Sequence, residues 1–188
     1  MLRSPWPDWV IFGAKNRQGM GFRFVANFTK PKNTVLNIIL YQPEIPPNTG
    51  NIIRLCANTG ARLHLVDPLG FRLDEASVKR AGMDYRELAE VRRYQSWSSY
   101  LEQNPSTRLW AFSTRGEGRH SDVCFRKGDG LLFGPETRGL PDSVLQQIGR
   151  QQTLRVPMLG QSRSMNLSNV VAIGLYEALR QLYFEGLD

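Results

Sequence analysis

The sequence predicts an α/β protein, a three-layer α/β/α sandwich built around a parallel sheet. Three observations lead there. Apolar runs of strand length alternate with segments of helical period along residues 36–182, and strands separated by helices pair in parallel through right-handed crossovers. Prolines close the first and last runs, at Pro43, Pro46 and Pro47 and again at Pro157, because a residue without an N–H cannot continue an interior ladder. Finally, Leu167, Val170, Val171, Gly174, Leu175, Ala178, Leu179 and Leu182 recur at three- and four-residue steps, giving a long last helix one apolar face.

In chain order, residues 36–41 (LNIILY) form the first strand by apolar density. Residues 48–58 read as a helix with Ile52, Ile53 and Cys56 inward and Gly60 as its C-terminal stop. Strands follow at 63–66 and 88–94, separated by a short charged helix over 74–81. Ser96 introduces a helix over 97–103, and 109–113 is a fourth strand. Residues 115–127 are a glycine-rich, polar excursion; 130–133 (GLLF) is a fifth strand, 141–148 a helix and 154–157 a sixth strand. After a polar loop over 159–164, Ser164 or Asn166 caps the last helix by accepting its orphan amide hydrogens. A ligand site is expected at this strand-to-helix junction, where loop amides and a helix N-terminus converge.

The 188 residues suit one core plus an extension. No run reaches the roughly 18 apolar residues of a spanning helix, so a soluble protein without a membrane partner is expected. Cys56 and Cys124 are too few for a disulfide framework; Cys56 reads as a buried reduced thiol, and a cytoplasmic location is expected. His64 and His120 stand apart from other ligand types, so no metal site is expected. Of the net charge of +7, residues 1–35 carry +5 and the remaining 153 residues only +2. A polyanionic partner must therefore be argued from local placement. Residues 1–35 show no periodicity and are expected to be a weakly ordered basic extension outside the domain at 36–188. Two readings of it stay open: an arm that touches RNA phosphates and bases, or a leader that is not native, with translation starting at Val35.

The first strand-to-helix turn reads EIPPNTGNIIR where a dinucleotide-binding domain would carry G-x-G-x-x-G. G-x-x-x-x-G-K-[ST] and G-x-S-x-G are also missing, which excludes P-loop nucleotide hydrolysis and nucleophile-elbow triad chemistry. What recurs is glycine and proline after the late strands, in Phe133-Gly134-Pro135-Glu136-Thr137-Arg138-Gly139 and Val156-Pro157-Met158. Gly134 lets a flat ligand approach the backbone; a tight turn alone would use the same residues.

Together with Asn48-Thr49-Gly50-Asn51-Ile52-Ile53-Arg54 and Ser164-Met165-Asn166-Leu167-Ser168-Asn169, these segments resemble the three motifs of the SPOUT class of RNA methyltransferases. The resemblance spans about residues 36–185 and is most specific in PEIPPNTGNIIRLCANTG and SRSMNLSN, which are similar to bacterial members acting at tRNA position 34. It implies a C-terminal trefoil knot, which periodicity could not have shown and which the rarity of knots argues against. It implies S-adenosyl-L-methionine as cofactor, bordered by Phe112, Gly134, Val156, Met158, Ser164 and Asn166. It also implies a homodimer, with methyl transfer to the ribose 2′-oxygen of wobble nucleotide 34, cytidine or modified uridine, in tRNA of leucine isoacceptors. Methylation at another tRNA or rRNA site, or a non-catalytic RNA-binding dimer, are the alternatives.

Arg54 matches the motif arginine and is expected to position the hydroxyl or a phosphate; its guanidinium, with a pKa above about 12, is a poor free base. Glu136 reads as a base, a dimer contact or a cap, with a site-organising role favoured. Arg115, Arg138 and Arg163 lie on loops beside the expected pocket and suit phosphate contacts. Tyr176 lies off the main stripe of the last helix and faces the site or the RNA. That stripe serves either dimer packing or the core.

Overall fold

The computed structural model describes residues 36–71 and 91–188. Among them, seven strands form one sheet: β1 (Asn37–Tyr41), β2 (Arg62–Val66), β3 (Val91–Tyr94), β4 (Leu109–Phe112), β5 (Gly118–Arg119), β6 (Gly130–Phe133) and β7 (Thr153–Arg155). Their order is β3-β2-β1-β6-β4-β7-β5, and every pairing is parallel. The helices are α1 (Pro46–Thr59), α2 (Trp97–Gln103), α3 (Asp142–Ile148) and α4 (Leu167–Gln181).

The side-chain alternation of the strands divides the core in two. On one face Ile38, Leu40, Leu63, Leu65, Leu131, Phe133 and Leu154 meet Ile52, Ile53 and Cys56 of α1 and Val171, Leu175, Ala178 and Leu179 of α4. On the other, Ile39, Ala111 and Leu132 meet Tyr100 of α2 and Val144 and Ile148 of α3. This is the expected three-layer arrangement. The central strands are buried on both faces, which is why β4 and β6 read as unbroken apolar runs. Burial pushes the Cys56 thiol up to about 12, so it is protonated packing material.

Several boundaries differ from the sequence reading. The last strand is Thr153–Arg155, not 154–157; the chain leaves the ladder before Pro157, and Val156 turns into a cleft. Residues 118–119, read as part of a loop, pair with β7 as a two-residue edge strand too short to leave a periodic signal. Helix α1 begins at Pro46 rather than Asn48, since proline suits a first turn whose amides have no intrahelical partner. Gly60 ends it at φ 71°, the left-handed conformation expected of a stop. The basic extension over 1–35, the charged helix at 74–81 and the start of the strand read as 88–94 lie outside the described residues.

His64 sits within β2, only 2% exposed. Asn37 donates to the Gly128 carbonyl, turning its own side-chain oxygen toward His64 Nε2 at 3.1 Å, while Nδ1 lies 2.9 Å from the Tyr94 hydroxyl. The neutral ring with its proton on Nε2 satisfies both contacts. Burial, with Arg92 and Arg62 nearby, lowers its pKa from 6.5 to about 4. A depressed histidine contributes stability that is fully present above pH 6.5 and is lost as the pH falls toward 4. Chemical denaturation across this window should show a loss of up to about 3 kcal/mol that His64→Gln largely removes.

Candidate active site

Beyond the carboxyl ends of β4, β6 and β7 lies a cleft of about 680 Å³, where parallel α/β sheets hold ligands. Phe112 ends β4, Phe133 ends β6, and Val156 and Met158 follow β7 on its wall. The rings of Phe112 and Phe133 stack with centroids 4.7 Å apart. A Cβ on Gly174 of α4 would come within 2.8 Å of the Phe112 ring, so glycine there lets the helix settle on it. A Cβ on Gly134 would overlap the backbone of Gly139 and Leu140, which shows how tightly the loop after β6 folds back.

Three separate turns meet at this cleft through one chain of polar contacts. Helix α1 starts Pro46-Pro47, and Ile45 at its N-cap offers no side-chain acceptor. The acceptor comes instead from Glu136, in the loop after β6, whose carboxylate takes the amides of Glu44 (2.8 Å) and Ile45 (3.3 Å) and the side-chain amide of Asn48 (3.0 Å). A negative group also suits the positive end of the helix dipole. Asn48 in turn accepts from Asn166 Nδ2 at 2.9 Å, and Asn166 caps α4 by accepting from Ser168 N at 2.9 Å. Of the two caps read from the sequence, the bond is therefore made by Asn166; Ser164 lines the cleft.

A second set of bonds reinforces the first. Glu44 accepts from the Thr137 hydroxyl (2.6 Å) and amide (3.1 Å), and the hydroxyl, with Arg138 nearby, holds the Glu44 carboxyl below its usual range. Arg138 donates to Gln42 at 2.7 Å. Arg115 is tied to Asp142 at the start of α3 and donates to the Leu140 carbonyl at 2.7 Å. Arg163 lies exposed on the rim with no side-chain hydrogen bond or ion pair among the described residues.

Phe112, Gly134, Val156, Met158, Ser164, Asn166, Glu136, Arg115, Arg138 and Arg163 thus all line one cleft. Arg54 and Tyr176 do not; they lie exposed on α1 and α4. Sequence reasoning assigned no role to Asn48, though it is 5% exposed and joins both other turns. The available signal was a helix opening on two prolines without a cap of its own, which requires polar help from elsewhere.

Residues 35–176 match the SpoU rRNA Methylase family, and the chain belongs to it. It is 59% identical to the tRNA (cytidine(34)-2′-O)-methyltransferase of Aeromonas hydrophila, over 81% of this chain and 97% of that protein. A solved structure described as giving insight into 2-OH methylation of C/U34 on tRNA is 48% identical, with a TM-score of 0.74 over 80% of this chain and 97% of that one. The SpoU methyltransferase AviRb from Streptomyces viridochromogenes, solved in complex with AdoMet, is 26% identical with a TM-score of 0.68, over 81% of this chain and 59% of that one.

Asn48→Asp keeps the side-chain shape but sets a second carboxylate against Glu136 in place of a donor. Relative to the parent, stability at pH 7.5 is expected to fall by about 2 kcal/mol. Denaturation curves of the two proteins check it.

Proposed function

We propose that this chain transfers a methyl group from S-adenosyl-L-methionine to the ribose 2′-oxygen of wobble nucleotide 34, cytidine or modified uridine, in tRNA of leucine isoacceptors. The observation that carries this reading is the convergence of the Asn48, Glu136 and Asn166 turns on one cleft, in a chain 59% identical to a tRNA 2′-O-methyltransferase. The methyltransferase domain is residues 36–188, and the working compartment is the cytoplasm.

The lining fits the cofactor. Phe112, Phe133, Val156, Met158 and Leu167 give an apolar wall for a flat base, with the Gly134 backbone at one edge and Ser164 and Asn166 as polar partners. When bound, the cofactor supplies a methyl carbon made electrophilic by its sulfonium. The chain's own task is alignment: an attacking ribose oxygen must be held in line while its proton leaves. Arg54 holds the 2′-hydroxyl or an adjacent phosphate, and as a lasting cation it stabilises oxygen that gains negative charge. Arg163, Arg138 and Arg115 stand at the rim for phosphates.

The working form is a homodimer joined through α1 and α4, with Tyr176 at the shared boundary or against the RNA. Ile45, Met165, Ile173 and Tyr176 are 36–48% exposed on and beside these helices. Apolar residues left in water on the flank of a cleft favour such a contact. Arg54 lies on α1 outside the lining of its own cleft, and pairing through α1 is what brings it to a reacting ribose. The C-terminal segment closes a trefoil knot, a reading supported by the turns of residues 134–140 and 163–166 sharing the cleft.

Incubation of the purified protein with radiolabelled S-adenosyl-L-methionine and bulk tRNA or rRNA, followed by nucleoside mapping, tests this directly. Label should enter tRNA at ribose 34. Label in rRNA or at another tRNA position would replace the assignment, and tRNA binding without transfer would favour a non-catalytic RNA-binding dimer. Arg54→Ala should lower kcat by about 100-fold or more while leaving cofactor affinity, read by calorimetry, unchanged.

A further inference from the structure

A second charged feature lies just outside the cleft. In the pairing of β5 with β7, Arg119 stands directly opposite Arg155, so the two side chains leave the same face of the sheet on adjacent strands. Leu154 is buried under α4 and Val156 packs against the same cluster. Arg155 alternates with both and therefore points to the opposite face, the one that carries α3. Both arginines are exposed.

Like charges facing each other across neighbouring strands repel, and no described residue pairs with either arginine through a hydrogen bond or an ion pair. Glu117, two residues before Arg119, pairs with Arg150 at 3.6 Å, and Asp142 pairs with Arg115. The strand edge thus presents two exposed arginines rooted opposite each other on adjacent strands. Each guanidinium can offer paired donors to the non-bridging oxygens of a phosphodiester.

Position decides which anion. Arg155 immediately precedes Val156, which lines the cleft, and residues 113–115, which also line it, lead directly into β5. The Ser113 amide donates to the Leu154 carbonyl and the His120 amide to that of Arg155, both backbone bonds that hold this edge rigidly to the cleft wall. Arg163, likewise without a partner among the described residues, stands on the cleft rim. A polymer with regularly spaced phosphates can occupy rim and edge together; a free phosphate can occupy only one.

We propose that Arg119 and Arg155 form a phosphate seat for the substrate RNA, holding the backbone of a nucleotide that flanks the reacting ribose. The proposal rests on the RNA methyltransferase reading above and extends it to residues that the cleft does not contain. Phosphate contacts of this kind orient a strand without reading its sequence.

The test uses full-length protein carrying Arg119→Ala, Arg155→Ala and both, with Arg150→Ala as control because it removes equal charge from a paired arginine of the same edge. Unmodified tRNA transcript is titrated between 50 and 200 mM salt, and methyl transfer is followed in parallel. The double variant should bind tRNA about tenfold more weakly, and its log K versus log salt slope should shrink by about 1–2. KM for tRNA should rise with kcat at saturation within about twofold, and Arg119→Lys with Arg155→Lys should restore the salt slope but only part of the affinity. S-adenosyl-L-methionine affinity should match the parent and the thermal midpoint should be no lower, which excludes a folding defect. A double variant with parental affinity and slope, or single variants that each lose no more than Arg150→Ala does, overturn the proposal and leave the methyltransferase reading intact. A parent protein that neither binds nor methylates tRNA overturns both.

Discussion

The contact on which the site depends is the carboxylate of Glu136 at the head of α1, extended through Asn48 to Asn166. It joins the start of α1 to two segments that lie 88 and 118 residues further along the chain, and each member does two things at once. Glu136 satisfies helix amides while fixing the loop after β6; Asn166 caps α4 while holding α1. Such a chain is worth more than its separate bonds, because each partner is already ordered by the next. It also explains why polar residues sit so deep at the edge of an apolar core. Removing Glu136 or Asn166 leaves a polar atom of buried Asn48 unsatisfied, which costs more than an ordinary surface bond.

How much of this could be read beforehand depended on the range of the interaction. Strands such as β6 and helices such as α2 were legible with close boundaries, because local apolar period and the Ser96 cap determine them. Edge strand β5 was not, since two residues carry no period and its pairing is fixed by β7 some 36 positions later. The cleft-lining residues came from motif resemblance rather than from any pattern of spacing, and they lie together on one wall. The part played by Asn48 escaped notice for a physical reason. An asparagine in the first turn of a helix looks like a surface residue until the loop and cap that surround it are known.

Charge distribution follows the same division between what is anchored and what is left available. Arg108 is locked to buried Asp129, which also accepts from Trp110 and the Arg126 amide, pinning β4 to the turn before β6. Arg115 and Arg138 are held by the frame of the cleft, so their guanidinium groups face it with little freedom to lose on binding. The pairing of a rigid wall with exposed cations at its margin allows an enzyme to accept a long, flexible polyanion yet fix one sugar within it.

The borrowed cap of α1 has a consequence for how the chain is made. Helix and carboxylate are separated by some ninety residues, so when α1 first emerges from the ribosome its leading amides face only water. The helix gains its proper beginning after β6 has been inserted between β1 and β4, late in the growth of the sheet. Completion of the ligand-binding wall is thereby coupled to completion of the polypeptide, and a nascent fragment holds half a pocket whose geometry has yet to be imposed.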